Sequence, residues 1–251
     1  MLTAVSFILI IDKNSITAEK GFMDSIRLTI PISNNESVSG ILTTPADKKK
    51  IYGAGIITAH GAGNDMENDL LAAFAEGMAH AGYPVLRFNF PYKEKGLKAP
   101  DKPGKLEETW TAACRYFKED APIKVKHLIA AGKSMGGRIA SQMVAVGRLP
   151  VEGLIFLGYP LHPSSDRSKI RDAHLYQVEI PMLFFAGTRD TLCDLTILQS
   201  VLDKLPAPWE LEIIKGGDHS FHVPKSMGIP ESDIYYRIVA RTKKWIEANF
   251  P

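Results

Sequence analysis

The segment HLIAAGKSMGGRIA, residues 127–140, joins an apolar run to a glycine-rich turn and then to a helical pattern. The triplet Gly-Lys-Ser, here residues 132–134, also occurs at the end of phosphate-binding loops, whose full motif is Gly-x-x-x-x-Gly-Lys-Ser/Thr. The position of the first glycine holds His127, and the residues after it are those of a buried strand. Gly-x-Ser-x-Gly between a strand and a helix is instead typical of a sharp turn that presents a serine nucleophile. We therefore interpret Ser134 as a candidate nucleophile.

The composition is that of an ordinary globular protein. The chain has 251 residues, of which 45% are hydrophobic and 23% are charged, and its net charge is +2. This length suits one α/β domain or two small ones. The near balance of charge gives no reason to expect nucleic acid or an anionic membrane surface as a partner.

The spacing of cysteines and histidines argues against a disulfide framework and a metal site. Cys114 and Cys193 form no CxxC pair, and the seven histidines form neither an HExxH motif nor a His/Cys cluster. We expect both thiols to be reduced, in a cytoplasmic protein that binds no metal. The GAG at 53–55 is not a dinucleotide fingerprint, because Thr58 stands where the last glycine of that motif belongs.

The apolar segment AVSFILII, residues 4–11, is too short to span a bilayer. It also lacks the basic start and the small-residue cleavage site of a signal peptide. We expect residues 1–23 to be an edge strand or an extension outside the domain. Residues 24–251 are expected to form a single domain with no membrane segment.

Strand and helix patterns alternate along the rest of the chain. Two β-rich segments, at 25–30 and 37–43, come first. Short apolar strands are then predicted at 55–59, 84–90, 127–131, 151–157, 181–186 and 209–214. Helices are predicted from apolar residues at helical spacing at 68–81, 106–117, 136–146, 196–205 and 233–250. This order predicts an α/β fold with a mostly parallel central sheet of about eight strands and helices on both faces.

Residues with catalytic chemistry come shortly after three of the predicted strands. They are Ser134, Asp190 and His219. Functional sites in such sheets lie beyond the carboxyl ends of the strands, so we expect the three side chains to lie close together. The chain order of a serine, an acid and then a histidine is that of the α/β-hydrolases.

The chain resembles an α/β-hydrolase over about residues 24–250. It is similar to the small, nearly lidless branch related to dienelactone hydrolases, which includes the family of the mammalian testis-expressed α/β-hydrolase-like protein. Four segments carry the resemblance: TAHGAG at 58–63, GKSMGGR at 132–138, YPLHP at 159–163 and KIRDAHL at 169–175. It implies an α/β-hydrolase fold with a minimal lid and a Ser-His-Asp triad. Dienelactone hydrolases that use cysteine carry it at the position of Ser134, which counts against a strict dienelactone activity.

The expected chemistry assigns one role to each residue of the triad. His219 takes the proton of Ser134 during attack and returns it to the leaving group, while Asp190 orients the imidazole. The developing oxyanion needs two backbone N–H donors, for which we select Ala62 and Met135.

Each residue of the triad has an alternative interpretation. Ser134 could be only a helix N-cap. Asp194 is the rival of Asp190 as the acid, and His222 is the rival of His219 as the base.

Four further residues are candidates for the pocket: His60, Gly61, Lys133 and His162. His60 is expected to hold the oxyanion loop in place. The ammonium of Lys133 is expected to point either to the pocket or to solvent, and His162 either contacts substrate or packs at the surface.

A short segment, residues 160–180, separates two core strands and must supply any crossover helix, so little remains for a lid. Within it we expect Arg171 and Asp172 to form an ion pair, with recognition of an anionic substrate as the alternative.

The sequence therefore predicts a serine hydrolase that acts on carboxylic esters or thioesters of small soluble acyl substrates through an acyl-enzyme. The alternatives are a serine peptidase or amidase on the same fold, and an interaction scaffold without turnover. No cofactor is expected, because the nucleophile, the base and the oxyanion donors are all in the chain. The sequence leaves the oligomeric state open.

Overall fold

The computed structural model describes residues 23–33 and 35–251. The expectation for the N-terminal extension therefore lies almost wholly outside the described residues. The strands are β1 (Met23–Ser33), β2 (Glu36–Pro45), β3 (Ala54–Ala59), β4 (Val85–Phe88), β5 (His127–Lys133), β6 (Gly153–Leu157), β7 (Met182–Gly187) and β8 (Trp209–Ile214). The helices are α1 (Asp69–His80), α2 (Pro91–Glu94), α3 (Pro103–Glu119), α4 (Met135–Ala145), α5 (Leu195–Leu202) and α6 (Glu231–Asn249).

All eight strands form one sheet, in the order β1-β2-β4-β3-β5-β6-β7-β8. β2 is antiparallel to both of its neighbours, β1 and β4. The remaining neighbours are parallel, from β4 through β8. The predicted α/β-hydrolase fold, with a mostly parallel sheet of about eight strands, is confirmed.

Two apolar layers bury the two faces of the sheet. One contains Trp110 of α3, Ile139 of α4 and Leu198 of α5. The other contains Phe74 of α1 and Trp245 of α6. Because the central strands are apolar on both sides, they pack between these layers, as expected for a parallel sheet.

The sheet aligns the ends of the three strands that precede the candidate site residues. β5, β7 and β8 run in the same direction, with β6 between β5 and β7, and β8 next to β7. Their carboxyl ends therefore meet at one edge, where the loops after them can bring side chains together.

The connection between β6 and β7, which was expected to supply any crossover helix, contains no α-helix. Its regular structure is one turn of 3-10 helix, Leu175–Gln177. Leu175 and Val178 are fully buried there and cover the sheet in place of a crossover helix. The prolines and short polar residues between 160 and 168 favour turns over a helix.

Both cysteines, Cys114 and Cys193, are buried and free. In the described part of the chain, every helix is too short or too polar to cross a bilayer.

Candidate active site

The candidate nucleophile sits on a strained turn between β5 and α4. Ser134 has φ 50° and ψ −114°, a left-handed backbone that non-glycine residues rarely adopt. Ser134 occupies the N-cap position of α4, but its side chain makes no capping hydrogen bond, so helix capping alone does not explain this serine. The turn instead directs the hydroxyl away from the helix that follows it.

Glycines flank this turn because backbone atoms occupy the space that side chains would need. A Cβ on Gly132 would lie 2.1 Å from the nitrogen of Gly137. A Cβ on Gly136 would lie 2.5 Å from the carbonyl oxygen of Ala59 in β3. The spacing of Gly-x-Ser-x-Gly thus lets α4 start directly against the strands.

Replacing Gly132 by alanine is expected to lower the free energy of unfolding by about 3 kcal/mol or more, because the clash is with backbone. Urea denaturation measures this loss. The control is Gly104→Ala in α3, where an added Cβ meets no atom within 4 Å. We expect that change to stabilise by up to about 1 kcal/mol. Equal changes in the free energy of unfolding for the two substitutions would mean that close backbone contact does not exclude a side chain at Gly132.

The structure brings Ser134, His219 and Asp190 into one hydrogen-bonded chain. His219 Nε2 lies 2.9 Å from Ser134 Oγ, and His219 Nδ1 lies 2.7 Å from Asp190 Oδ2. An ionised carboxylate only accepts, so Nδ1–H donates to Asp190 and Nε2 accepts from the serine hydroxyl. This is the tautomer that a general base next to a serine requires.

The acid and the histidine are held together by contact between their loops. A Cβ on Gly187 would lie 2.2 Å from the carbonyl oxygen of Gly217, so the two loops touch through backbone. Asp190 is 8% exposed, and its second oxygen accepts from the N–H of Leu192 at 2.8 Å. The carboxylate is thereby fixed before any substrate binds.

The rival acid and the rival base lie elsewhere. Asp194 caps α5, where its Oδ1 accepts from the N–H groups of Thr196 and Ile197. His222 is largely exposed, with 60% of its side chain accessible, and its ring faces acidic groups at the surface.

The loop after β3 packs against the serine. A Cβ on Gly61 would lie 3.2 Å from Ser134 Cβ. His60 is fully buried and holds this loop: its Nε2 accepts from the N–H of Phe90 at 3.1 Å. The protonated Nδ1 therefore donates to the carbonyl oxygen of Gly61 at 2.8 Å. Burial lowers the pKa of His60 to about 4, so the ring is neutral near pH 7.

A cavity of about 280 Å³ opens beside the serine. Ala62 and Met135 both line it, and these are the two residues selected as oxyanion donors. Arg138 and Arg171 line it as well. No group of three or more His, Cys, Asp or Glu in residues 23–33 and 35–251 is arranged to hold a metal ion.

The family follows from comparison with known proteins. A model of the alpha/beta hydrolase domain matches residues 53–247. The chain belongs to the α/β-hydrolase domain family. The family that the sequence resemblance implied is thus confirmed.

Solved structures share the fold of this α/β-hydrolase at low sequence identity. A dienelactone hydrolase from Anabaena variabilis is 18% identical with a TM-score of 0.67, over 91% of this chain and 99% of that chain. An α/β serine hydrolase without a lid from Xanthomonas campestris is 20% identical with a TM-score of 0.65, over 87% and 94%. Est1E from Butyrivibrio proteoclasticus is 16% identical with a TM-score of 0.65, over 86% and 98%.

Lys133 of this α/β-hydrolase points neither to the cavity nor to solvent. Its side chain is buried, and its Nζ donates to the carbonyl oxygen of His219 at 2.5 Å. Burial lowers the pKa of Lys133 to about 8, although the charges of Asp190 and Asp218 act in the opposite direction. The residue before the nucleophile therefore ties β5 to the loop that carries the histidine.

The pKa of Lys133 predicts a pH dependence of stability. The folded protein holds this proton less tightly than the unfolded chain, with a pKa of about 8 against 10.5. Between these two pH values the unfolded chain binds more protons, so the free energy of unfolding increases with pH. Relative to Lys133→Met, we expect the wild type to gain about 2–3 kcal/mol across this interval in urea denaturation. If the free energy of unfolding of the wild type, relative to Lys133→Met, instead decreased over this pH interval, the burial of this ammonium would be contradicted.

His162 does not line the cavity. It is almost fully buried, its Nε2 accepts from the N–H of Asp194 at 2.9 Å, and its Nδ1 donates to the carbonyl oxygen of Pro163 at 3.0 Å. It fastens the chain after β6 to the start of α5.

The expected ion pair between Arg171 and Asp172 is absent from the described residues. The carboxylate of Asp172 accepts from the hydroxyl of Tyr176 at 2.6 Å. Arg171 donates to the carbonyl oxygen of Pro160 at 3.1 Å and lines the cavity. The two adjacent side chains therefore bind different partners instead of each other.

Proposed function

We propose that this protein is a serine hydrolase that cleaves carboxylic esters or thioesters of short acyl groups. The observation that carries the proposal is the hydrogen-bonded chain from Ser134 through His219 to Asp190. The strained backbone of Ser134 supports it further, because strain of this kind is concentrated at functional sites.

The reaction follows from the positions of these groups. Ser134 Oγ attacks the acyl carbon while His219 Nε2 takes its proton. Asp190 stabilises the imidazolium, and the N–H groups of Ala62 and Met135 are the proposed donors to the oxyanion. His219 then protonates the departing alcohol or thiol, which leaves the acyl group on Ser134. Water, deprotonated by His219, attacks this acyl-enzyme and releases the acid.

The cavity limits the acyl group that the site can hold. Its volume of about 280 Å³ lies just below the range of about 300–1,000 Å³ for ordinary ligand pockets. Methylenes of a long chain would extend beyond it into water and gain no burial.

We therefore expect kcat/KM for p-nitrophenyl esters to show no increase from butyryl to palmitoyl chains, because the added methylenes stay in water and contribute no binding free energy. Initial rates below the micellar concentration of each ester give this series. The amide of the same short acyl group tests the peptidase and amidase alternative, and we expect it to be hydrolysed much more slowly than the ester. A rise in kcat/KM from acetyl to palmitoyl would contradict the short-chain assignment.

A further inference from the structure

Two arginines of the cavity have no acidic partner in the part of the chain that the structure describes. Arg138 Nη1 donates to the side-chain oxygen of Gln142 at 3.3 Å, and Arg171 Nη1 donates to the carbonyl oxygen of Pro160 at 3.1 Å. Both acceptors are neutral groups. Each guanidinium has further N–H groups that can donate to another acceptor. Burial lowers the pKa of Arg138, nearby Tyr159 acts in the opposite direction, and the positive charge of Arg171 lowers the pKa further. Two like charges thus lie near each other at the cavity, with no acidic partner among the described residues.

Arg138 stands one helical turn after the nucleophile. Its N–H donates to the carbonyl oxygen of Ser134 at 3.1 Å, which is the first turn of α4. Arg138 lines the cavity together with Met135, the residue directly after Ser134. A group held by Arg138 in the cavity therefore lies near the turn that carries Ser134.

The backbone of Arg171 is fixed against the core by hydrogen bonds. Its N–H donates to the carbonyl oxygen of Leu161 at 2.8 Å, and its carbonyl oxygen accepts from the hydroxyl of buried Tyr159 at 2.6 Å. The exposed side chain of Arg171 therefore starts from a rigid position at the cavity.

A second contact ties the segment of Arg171 to the helix of Arg138. Ser141 Oγ donates to the carbonyl oxygen of Arg138 at 2.9 Å and lies 2.8 Å from His174 Nε2. Because the hydroxyl proton is used, His174 donates through Nε2. Burial lowers the pKa of His174 to about 4, and the charge of Arg138 adds to this, so the ring is neutral. His174 and Ser141 thus join the two arginine-bearing elements without adding a charge.

One acid lines the cavity among the described residues, and it is already engaged. Asp101 Oδ2 accepts from the N–H of Tyr92 at 2.8 Å. Neither Arg138 nor Arg171 lies within ion-pairing distance of it in the described structure. The cavity lining therefore carries more positive than negative charge.

The cavity adjoins the proposed oxyanion donors and not the loop that carries His219. A leaving group receives its proton from His219 and so departs toward the loop after β8. The residues that line the cavity include Ala62 and Met135 but none from that loop. The part of the substrate that enters the cavity is consequently the acyl group.

We propose that Arg138 and Arg171 form a subsite for a carboxylate at the far end of the acyl chain. The favoured substrates are then half-esters or half-thioesters of short dicarboxylic acids, and the inference rests on the proposed hydrolase function. The planar guanidinium group matches a carboxylate in a paired arrangement, which favours this anion. The small volume of the cavity, about 280 Å³, favours chains of succinyl or glutaryl length.

The test compares monoethyl glutarate with ethyl glutaramate, in which a neutral amide replaces the carboxylate. Ethanol release gives kcat/KM for each. We expect the wild type to prefer the carboxylate about tenfold or more. In the double variant Arg138→Gln/Arg171→Gln this ratio should fall to about one. Arg148→Gln is the matched control, because Arg148 is exposed, pairs with Glu107 and lies outside the cavity lining; it should keep the wild-type ratio.

The outcomes separate this subsite from the catalytic proposal. Equal kcat/KM for the two esters in the wild type, or a preference that survives in the double variant, would overturn the subsite and leave ester hydrolysis standing. Absence of Ser134-dependent hydrolysis of both esters would overturn both proposals. If the double variant fails to fold by circular dichroism, the single variant Arg171→Gln decides, because its exposed side chain can be changed without disturbing the core. An unchanged ratio in that variant would count against Arg171.

Discussion

Replacing Ser134 by alanine is expected to lower kcat/KM for a short-chain ester by about 10⁴- to 10⁶-fold. The substitution removes the hydroxyl that lies 2.9 Å from His219 Nε2, and with it the covalent route. Binding and the oxyanion donors remain, so a small residual rate is expected. Initial rates with p-nitrophenyl butyrate measure the loss.

The matched control is Ser200→Ala. Ser200 lies on the exposed side of α5, and its hydroxyl donates to the carbonyl oxygen of Ile197. This variant should retain wild-type kcat/KM. Comparable activity of Ser134→Ala and the wild type would contradict the assignment of Ser134 as the nucleophile.

Replacing Asp190 by asparagine is expected to lower kcat by about 10⁴-fold. The side chain of asparagine is neutral, so it does not present to His219 Nδ1–H the negative charge of the Asp190 carboxylate. The imidazole would then favour the wrong tautomer, and the imidazolium would lose its buried counter-charge. Single-turnover rates with an activated ester separate this loss from changes in binding.

The rival acid provides the control for this substitution. Asp194→Asn should keep kcat within about threefold, because asparagine is also a good helix cap and Asp194 makes no contact with His219. A larger loss in Asp194→Asn than in Asp190→Asn would mean that the wrong acid has been assigned.

Much of the fold could be predicted because its signals are local. The apolar runs from Gly55 to Ala59 and from Trp209 to Ile214 each correspond to an observed strand. Gly132 and Gly136 indicated the turn at Ser134, because few other residues tolerate such close backbone contact. A parallel sheet then gathers the strand ends, so chain order was sufficient to predict that Ser134, Asp190 and His219 come together.

Other features depend on the direction of side chains, which residue spacing does not encode. Lys133 is charged and adjacent to the nucleophile, yet its ammonium binds the backbone of His219 inside the protein. The sequence shows the charge but not the buried carbonyl that accepts from it. Arg171 and Asp172 are neighbours of opposite charge that bind different partners, because tertiary contacts outweigh their proximity.

The connection between β6 and β7 is a related case. A parallel crossover usually contains a helix, and residues 160–180 were expected to supply any helix that the crossover needed. The chain instead holds an irregular segment with two contacts: Tyr159, just after β6, donates to the carbonyl oxygen of Arg171, and His174 contacts Ser141 of α4. These are long-range hydrogen bonds to Arg171 and Ser141, and no local pattern indicates them.

The most direct measurement is labelling of the folded protein with a fluorophosphonate probe, followed by location of the adduct by peptide mass. A serine activated by His219 should react, and we expect one adduct, on the peptide that contains Ser134. The adduct should be lost in Ser134→Ala and retained in Ser200→Ala. No adduct on folded wild-type protein, or an adduct that persists in Ser134→Ala, would mean that Ser134 is not an activated nucleophile and would favour a scaffold without turnover.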